Sequence, residues 1–143
     1  MVVKTILSAK GSDVVTIEPT ANVAAAAKLL AERKIGALVV TGLDQRIVGI
    51  VSERNIVQAC AARGAAALEL PLTEVMTRNV ATCSPSDTIN SIMKRMTEGK
   101  FRHVPVVEQG RLIGIVSIGD VVKHRTHEME SEYAALHNYV QTA

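Results

Sequence analysis

The sequence contains almost no aromatic residues: of its 143 residues none is Trp, one is Phe and two are Tyr. Proteins that bind RNA or single-stranded DNA stack the bases on aromatic side chains. The shortage therefore argues against this kind of binding. Since 48% of the residues are hydrophobic, we expect a core built from the aliphatic side chains of Val, Ile, Leu, Ala and Met.

The sequence also lacks a large excess of one charge. It has 16 Lys and Arg and 14 Asp and Glu, which gives a formal net charge of +2. This balance is too small for a nucleic-acid-binding surface, so we expect no nucleic-acid partner. The two cysteines, Cys60 and Cys83, make neither a disulfide framework nor a Cys-x-x-Cys motif. Such cysteines are expected to be reduced thiols of a cytoplasmic protein.

No stretch of the sequence predicts a secretion signal or a membrane span. Residues 1–7 lack the basic start and long apolar run of a signal peptide. The Ala-rich residues 23–31 are interrupted by Lys28, and they fall short of the about 20 apolar residues that a spanning helix needs. We therefore expect a protein without a membrane partner.

The two halves of the chain repeat each other. A shift of 66 positions places Pro19 on Pro85, and after a one-residue gap in a turn a shift of 65 places Ser52 on Ser117. A single unit of about 50 residues would bury too little surface to be stable, so we expect two units packed with pseudo-twofold symmetry. The first-half residues that recur are Val14, Thr16, Pro19, Lys28, Glu32, Lys34, Val40, Arg46, Gly49, Ile50, Val51, Ser52 and Val57.

Each half has the pattern of a β-α-β-β-α unit. A short extended segment ends at Pro19 or at Pro85, because the residue before proline avoids the helical region. An amphipathic helix follows, then two apolar runs around a polar turn that indicate a hairpin, then a second helix over residues 53–62 or 118–125. The predicted fold class is α/β (α+β), with two such repeats and a C-terminal helix.

The first helix of each half has candidate caps and an apolar face. Thr20 or Asn22 is expected to cap it in the first half, and Ser86 or Asp87 in the second. Its predicted buried positions are Val23, Ala26, Ala27 and Leu30 in the first half, and Ile89, Ile92, Met93 and Met96 in the second.

These patterns divide the chain into four segments. Residues 5–62 form the first repeat, 63–71 an exposed connector, 72–125 the second repeat and 126–143 a helical tail. The tail has an apolar seam at heptad spacing, which is expected to pack back on the repeats or to pair with a second copy. The residues of this seam are Met129, Tyr133, Leu136 and Val140.

The sequence has no catalytic motif: GxGxxG, GxxxxGK[ST], HExxH and GxSxG are all missing. Its four His residues do not cluster with Cys at zinc-ligand spacing. His124, His127 and Glu128 lie close in sequence, and we interpret them as part of a surface helix rather than a metal site. We therefore expect no catalytic residue and no metal.

One motif occurs in both halves, as Gly-Ile-Val-Ser-x-x-Asn at residues 49–55 and Gly-Ile-Val-Ser-x-x-Asp at residues 114–120. It predicts a strand that runs into a helix with Ser at the N-cap, where free N–H groups suit a phosphate. A carboxylate one turn later suits ribose hydroxyls, which Asp120 provides and Asn55 does not. Read alone, each motif is more simply explained as an ordinary helix cap.

These motifs resemble the CBS-domain pair, or Bateman module. The resemblance covers residues 5–123 and also includes the His-Val-Pro-Val-Val run at 103–107 and the Glu-Val-Met-Thr run at 74–77. It implies a non-catalytic regulatory module in signal transduction that binds AMP, ATP, NAD or a similar adenosyl compound in two clefts between the repeats. It also implies a homodimer and an effector protein that the sequence does not identify.

The resemblance assigns residues to each cleft, where the corner of one repeat meets the leading segment and hairpin of the other. Asp120 would bind ribose in the first cleft, and Arg54, Arg102 and His103 would meet phosphates in the second. We expect the clefts to be unequal, with Asp120 the better ribose ligand. The first cleft comprises Lys10, Gly11, Ser12, Asp13, Ile35, Gly36, Ala37, Ser117, Gly119 and Asp120, and the second comprises Ser52, Arg54, Asn55, Thr77, Val80, Phe101, Arg102 and His103.

Two other functions are considered. A structural interaction protein with empty clefts is suggested by Asn55, which lacks the charge of Asp120. An enzyme related to IMP dehydrogenase, whose CBS pair such modules resemble, would need a barrel of about 250 residues, and this chain has no room for one.

Overall fold

The structure is a computed structural model that describes residues 1–142, with side chains for residues 1–140. The first half contains α1 (Val3–Lys10), β1 (Thr16–Ile17), α2 (Val23–Arg33), β2 (Ala37–Thr41), β3 (Ile47–Ser52) and α3 (Glu53–Arg63). The second half contains α4 (Ile89–Gly99), β4 (His103–Glu108), β5 (Arg111–Ser117) and α5 (Ile118–Thr142). The predicted class of two α/β repeats with a C-terminal helix is confirmed.

The two halves differ in their first strand. In the first half, β1 pairs in parallel with β2, and β2 pairs antiparallel with β3. In the second half β4 pairs antiparallel with β5, but the expected first strand is reduced to a single parallel bridge between Cys83 and Val106. Val39 of β2 donates its N–H to the Val15 carbonyl at 3.4 Å. Pro105 stands at the matching position of β4 and has no N–H, so this bond cannot form.

For the first helix of each repeat, the cap was predicted correctly in one half. Asn22 caps α2, as expected, and accepts an N–H at 2.9 Å. Thr88, rather than Ser86 or Asp87, caps α4. Asp87 instead accepts the Ser84 N–H at 2.9 Å and so closes the turn that precedes the helix.

The predicted apolar faces of α2 and α4 point into two separate aliphatic cores. Ala27 and Met93, at the edges of these faces, are only partly buried. The remaining predicted positions are buried, namely Val23, Ala26 and Leu30 in α2 and Ile89, Ile92 and Met96 in α4.

Each half also contributes a segment to the core of the other half. Helix α1, which the sequence patterns did not predict, buries Val3 and Ile6 against β4 and β5. Conversely, Leu72 and Met76 lie in the core of the first half. The chain is therefore held together by two exchanged segments, and each of them ends beside a helix start of the opposite half.

The connector between the repeats is ordered. A 3-10 helix occupies Gly64–Glu69, and Ala67 is fully buried although its neighbours are exposed. The carbonyl of Leu70 accepts the Val23 N–H at 2.9 Å, which ties the connector to the start of α2. This bond helps to position the exchanged segment that follows.

The tail continues the last repeat helix without a break, so that α5 runs for 25 residues. Its apolar seam does not pack back on the repeats: the exposed fractions are 57% for Met129, 71% for Tyr133, 62% for Leu136 and 66% for Val140. Pairing with a second copy stays a prediction, and Ala143 lies outside the described residues. Within residues 1–142, no helix is long and apolar enough to cross a membrane.

Candidate functional site

The first repeated motif forms a capping box at the start of α3. Ser52 accepts the Asn55 N–H at 3.3 Å, and Asn55 Oδ1 accepts the Ser52 N–H at 2.8 Å. The Asn55 amide nitrogen then donates to Thr77 Oγ1 at 3.3 Å, across to the exchanged segment of the second half. The cap thus fixes the amide side chain and presents it beside Thr77.

The second motif has the same geometry at the start of α5. Ser117 Oγ accepts the Asp120 N–H at 3.1 Å, and Asp120 Oδ2 accepts the Ser117 N–H at 2.9 Å. Lys10, at the end of α1, donates to the same Oδ2 at 2.7 Å. Lys10 therefore contacts the Asp120 side chain as Thr77 contacts the Asn55 side chain. Both motifs are helix caps as well as candidate ligand sites.

The ion pair stabilises the ionised form of the Asp120 carboxyl. Burial alone would raise its pKa, but hydrogen bonds from Lys10 and from the Ser117 backbone outweigh burial, and the pKa is lowered. Asp120 is thus a carboxylate whose charge Lys10 balances. A ligand that approaches this carboxylate has to compete with the Lys10 ammonium.

An open cleft of about 1170 Å³ lies where the two halves meet. It is built around the start of α3, the segment that follows Thr77 and the turn between α4 and β4. The predicted residues that line it are Gly36, Ser52, Arg54, Asn55, Thr77, Val80, Phe101, Arg102, His103, Ser117 and Gly119. All eight residues assigned to the second cleft are among them.

Seven predicted residues of the first cleft do not line this cavity, and they fall into two groups. Ile35 is half-buried beside the first-half core and Ala37 is buried, and neither lines the cavity. The remaining five are the Lys10–Asp120 pair and the exposed residues Gly11, Ser12 and Asp13, which follow α1. The structure thus brings the second set together more completely than the first.

Several lining residues were missed by sequence reasoning. Lys100 lies at the end of α4 in the left-handed conformation, with φ of 56°. Its repeat counterpart Lys34 has φ of 55° at the end of α2. The recurrence of this lysine in both halves was the sequence signal that could have identified Lys100 as a candidate site residue. Glu53, Gln58 and Asn79 also line the cleft, but no pattern singled them out.

His103 lies between the two corners. A Cβ atom built on Gly36 would be 3.3 Å from His103 Cε1, so the imidazole ring packs directly on that glycine. Burial lowers the pKa of His103, and the neighbouring Glu53 opposes this shift while Lys10 adds to it. The neutral ring is therefore favoured at pH 7, with charges from both halves around it.

This pKa shift gives a pH-dependent stability. A His whose folded pKa is lower than its unfolded value binds fewer protons when folded, so its contribution is complete above pH 6.5 and is lost as the pH falls from there towards the folded pKa. We expect His103→Gln to lose less unfolding free energy than the parent between pH 7 and pH 5 in denaturant titrations. An unchanged pH profile would contradict this assignment. Asp120 does not contribute to the pH dependence between pH 7 and pH 5, because the pKa of its carboxyl is lowered from the ordinary value of 3.8.

Comparison with known proteins decides the family. The CBS domain family model matches residues 3–62 and 72–127. The chain belongs to the CBS domain family. The structure of the CBS-domain containing protein ATU1752 from Agrobacterium tumefaciens is 50% identical, superposes with a TM-score of 0.85, and the match covers 87% of this chain and 99% of that one.

Two CBS neighbours were solved with adenosyl compounds. The CBS domain pair of protein MJ0100, in complex with 5′-methylthioadenosine and S-adenosyl-L-methionine, is 27% identical with a TM-score of 0.80 over 90% of this chain and 98% of that one. The CBS domain protein PAE2072 from Pyrobaculum aerophilum, complexed with AMP, is 30% identical with a TM-score of 0.75 over 84% and 89%. The chain spans between a third and two thirds of the length of the first curated relatives that it matches.

Proposed function

We propose that this CBS pair is a non-catalytic regulatory module that binds an adenosyl ligand in the cleft at the Asn55 corner. The observation that carries the proposal is the convergence of all eight residues of the second predicted cleft on one cavity of about 1170 Å³. That volume is sufficient for a nucleotide, since small-molecule sites usually measure about 300–1,000 Å³. AMP, methylthioadenosine and S-adenosylmethionine in the neighbours indicate the class of ligand.

The residues suggest how the ligand is held. Val80 and Phe101 supply apolar surface for the adenine, and Asn55, fixed by Ser52 and Thr77, supplies an amide for the ribose hydroxyls. Arg54 stands in the first turn of α3, between Glu53, whose N–H donates to the Gly36 carbonyl at 3.0 Å, and Asn55, whose N–H donates to Ser52 Oγ at 3.3 Å. A phosphate placed there meets the Arg54 guanidinium and the positive end of the helix dipole.

Regulation requires that the ligand bind two states of the module with different affinity. Exchange of the leading segments supports such a role, because the Thr77 segment belongs to one half and the Asn55 corner to the other. A ligand that bridges them stabilises one relative arrangement of the halves.

Calorimetry and thermal shift with AMP, ADP, ATP, NAD, methylthioadenosine and S-adenosylmethionine test the proposal. A ligand present at a hundred times its dissociation constant should add about 2.7 kcal/mol to the free energy of unfolding. We expect Val80→Asp to abolish this gain, because it places a carboxylate against the adenine. The matched control is Val14→Asp, the repeat counterpart of Val80 outside the cleft, which should keep it.

Two outcomes would count against the proposal. If no adenosyl compound stabilises the parent protein, the module has empty clefts and the structural interaction role is favoured. If Val14→Asp abolishes binding and Val80→Asp leaves it unchanged, the ligand occupies the Asp120 corner instead. Melting of both variants without ligand shows whether they are folded.

A further inference from the structure

Three cations converge on the Asn55 cleft from three different elements. Arg54 lies in the first turn of α3, Lys100 at the end of α4, and Arg102 just before β4. All three are exposed, and no ion pair among residues 1–140 includes any of them. Their charges therefore face the cleft without a protein counterion.

Negative charge in the cleft is much smaller. Among the described residues, Glu53 is the one carboxylate that lines it. The corner residue is Asn55, which brings no charge where the other repeat has Asp120, and Lys10 balances that carboxylate outside the cavity. The electrostatic potential of the cleft is accordingly positive, and low-dielectric walls strengthen such a field.

Repeat symmetry places a glycine at the position that corresponds to each of two of these cations, and one of these glycines leaves open space. Arg54 corresponds to Gly119 and Arg102 corresponds to Gly36, and both glycines line the same cleft. A Cβ atom on Gly119 would meet no atom closer than Ser117 Oγ at 3.6 Å. The cations come from both halves, Arg54 from the first and Lys100 and Arg102 from the second. The open space at Gly119 leaves room in the cleft for a group that carries several negative charges.

We propose that the Asn55 cleft selects an adenosine 5′-diphosphate or 5′-triphosphate over uncharged or cationic adenosyl compounds. This inference rests on the proposed function and adds the class of ligand. Methylthioadenosine carries no charge to pair with the cations, and the sulfonium of S-adenosylmethionine adds a positive charge to a positive cleft. A chain of phosphates provides a partner for each of Arg54, Lys100 and Arg102, and guanidinium groups bind phosphate oxygens in pairs.

Competitive calorimetry with ADP and methylthioadenosine tests the selectivity. Each charge-assisted hydrogen bond contributes about a 10- to 100-fold change in affinity, so ADP should bind at least about 10-fold more tightly than methylthioadenosine. Raising the salt from 50 to about 300 mM should weaken ADP and leave methylthioadenosine almost unchanged, because salt screens exposed charges.

Variants locate the effect. Arg102→Ala and Arg54→Ala should each lower ADP affinity about 10-fold or more and change methylthioadenosine affinity less than about threefold. Arg33→Ala removes an equal charge at the exposed end of α2, outside the cleft, and should leave both affinities unchanged. Exposed substitutions of this kind rarely change folding stability, and melting without ligand verifies it.

The outcomes separate the two proposals. Equal or tighter binding of methylthioadenosine would overturn the selectivity while the adenosyl-binding function stands. ADP binding that is insensitive to Arg54→Ala and Arg102→Ala, or reduced as much by Arg33→Ala, would also overturn it. If no compound binds the parent protein, both proposals fail.

Discussion

Replacing Leu72 by Ala should lower the free energy of unfolding by about 2–5 kcal/mol, the range for a buried leucine that leaves a cavity. Leu72 begins the second repeat in sequence, yet its side chain is fully buried in the core of the first half, together with Leu38, Val40 and Val51. Chemical denaturation monitored by circular dichroism measures the loss.

Leu68→Ala is the matched control. Leu68 lies four residues earlier, is 39% exposed, and should change stability by no more than about 0.5 kcal/mol. A loss at Leu72 no larger than at Leu68 would mean that the exchanged segment is not packed in the first-half core. A strong loss at Leu72 alone supports the exchange.

Gly49→Ala should destabilise the fold by about 1–3 kcal/mol, as overpacking does, and should also weaken ligand binding. Its Cβ atom would lie 2.5 Å from Met76 Sδ and 3.0 Å from the Thr77 carbonyl oxygen. That segment cannot easily retreat, because Thr77 and Ile50 exchange two backbone hydrogen bonds, both 2.9 Å long. A displaced Thr77 loses its contact with Asn55 at the corner of the cleft.

The other repeat supplies the control for this prediction. A Cβ atom on Gly114 would approach the Leu7 side chain at 2.7 Å, and its three nearest atoms all belong to that side chain. A flexible side-chain end can move aside, so Gly114→Ala should cost less than Gly49→Ala and leave ligand affinity unchanged. The reverse order of stabilities, measured by thermal unfolding and ligand titration, would contradict the assigned packing.

Much of this fold was predictable because the same local sequence patterns occur in both halves of the chain. The hairpins, the helices that follow them and the caps at Ser52 and Ser117 all depend on local patterns. The shortened first strand of the second half was also readable in principle, since Pro105 lacks the N–H that Val39 uses in the first half. Local chemistry explains each of these features.

The exchange of segments was not predictable in the same way. The spacing of Val3 and Ile6 permits a helix, but nothing near them in sequence says which sheet they cover. The Lys10–Asp120 pair joins residues that are 110 positions apart. Such contacts depend on how the two halves pack against each other. The local sequence patterns of either half do not predict that packing.

The site shows the same division. We expected the two clefts to differ because the repeats differ at corresponding positions. One repeat has Asn55 where the other has Asp120, and one has Gly36 and Ala37 where the other has Arg102 and His103. That expectation stays a prediction. The volume at the Asn55 corner, the Lys10 ammonium on Asp120 and the inclusion of Lys100 are consequences of packing. They shift our proposal for the ligand from the Asp120 corner to the Asn55 corner.

A crystal structure of the protein grown with excess ADP tests the central claim most directly. We expect one ADP in each chain, with its adenine against Val80 and Phe101, its ribose at Asn55 and its phosphates between Arg54 and Arg102. An ADP bound outside this cleft, or a cleft that stays empty at saturating ADP, AMP and S-adenosylmethionine, would contradict the account.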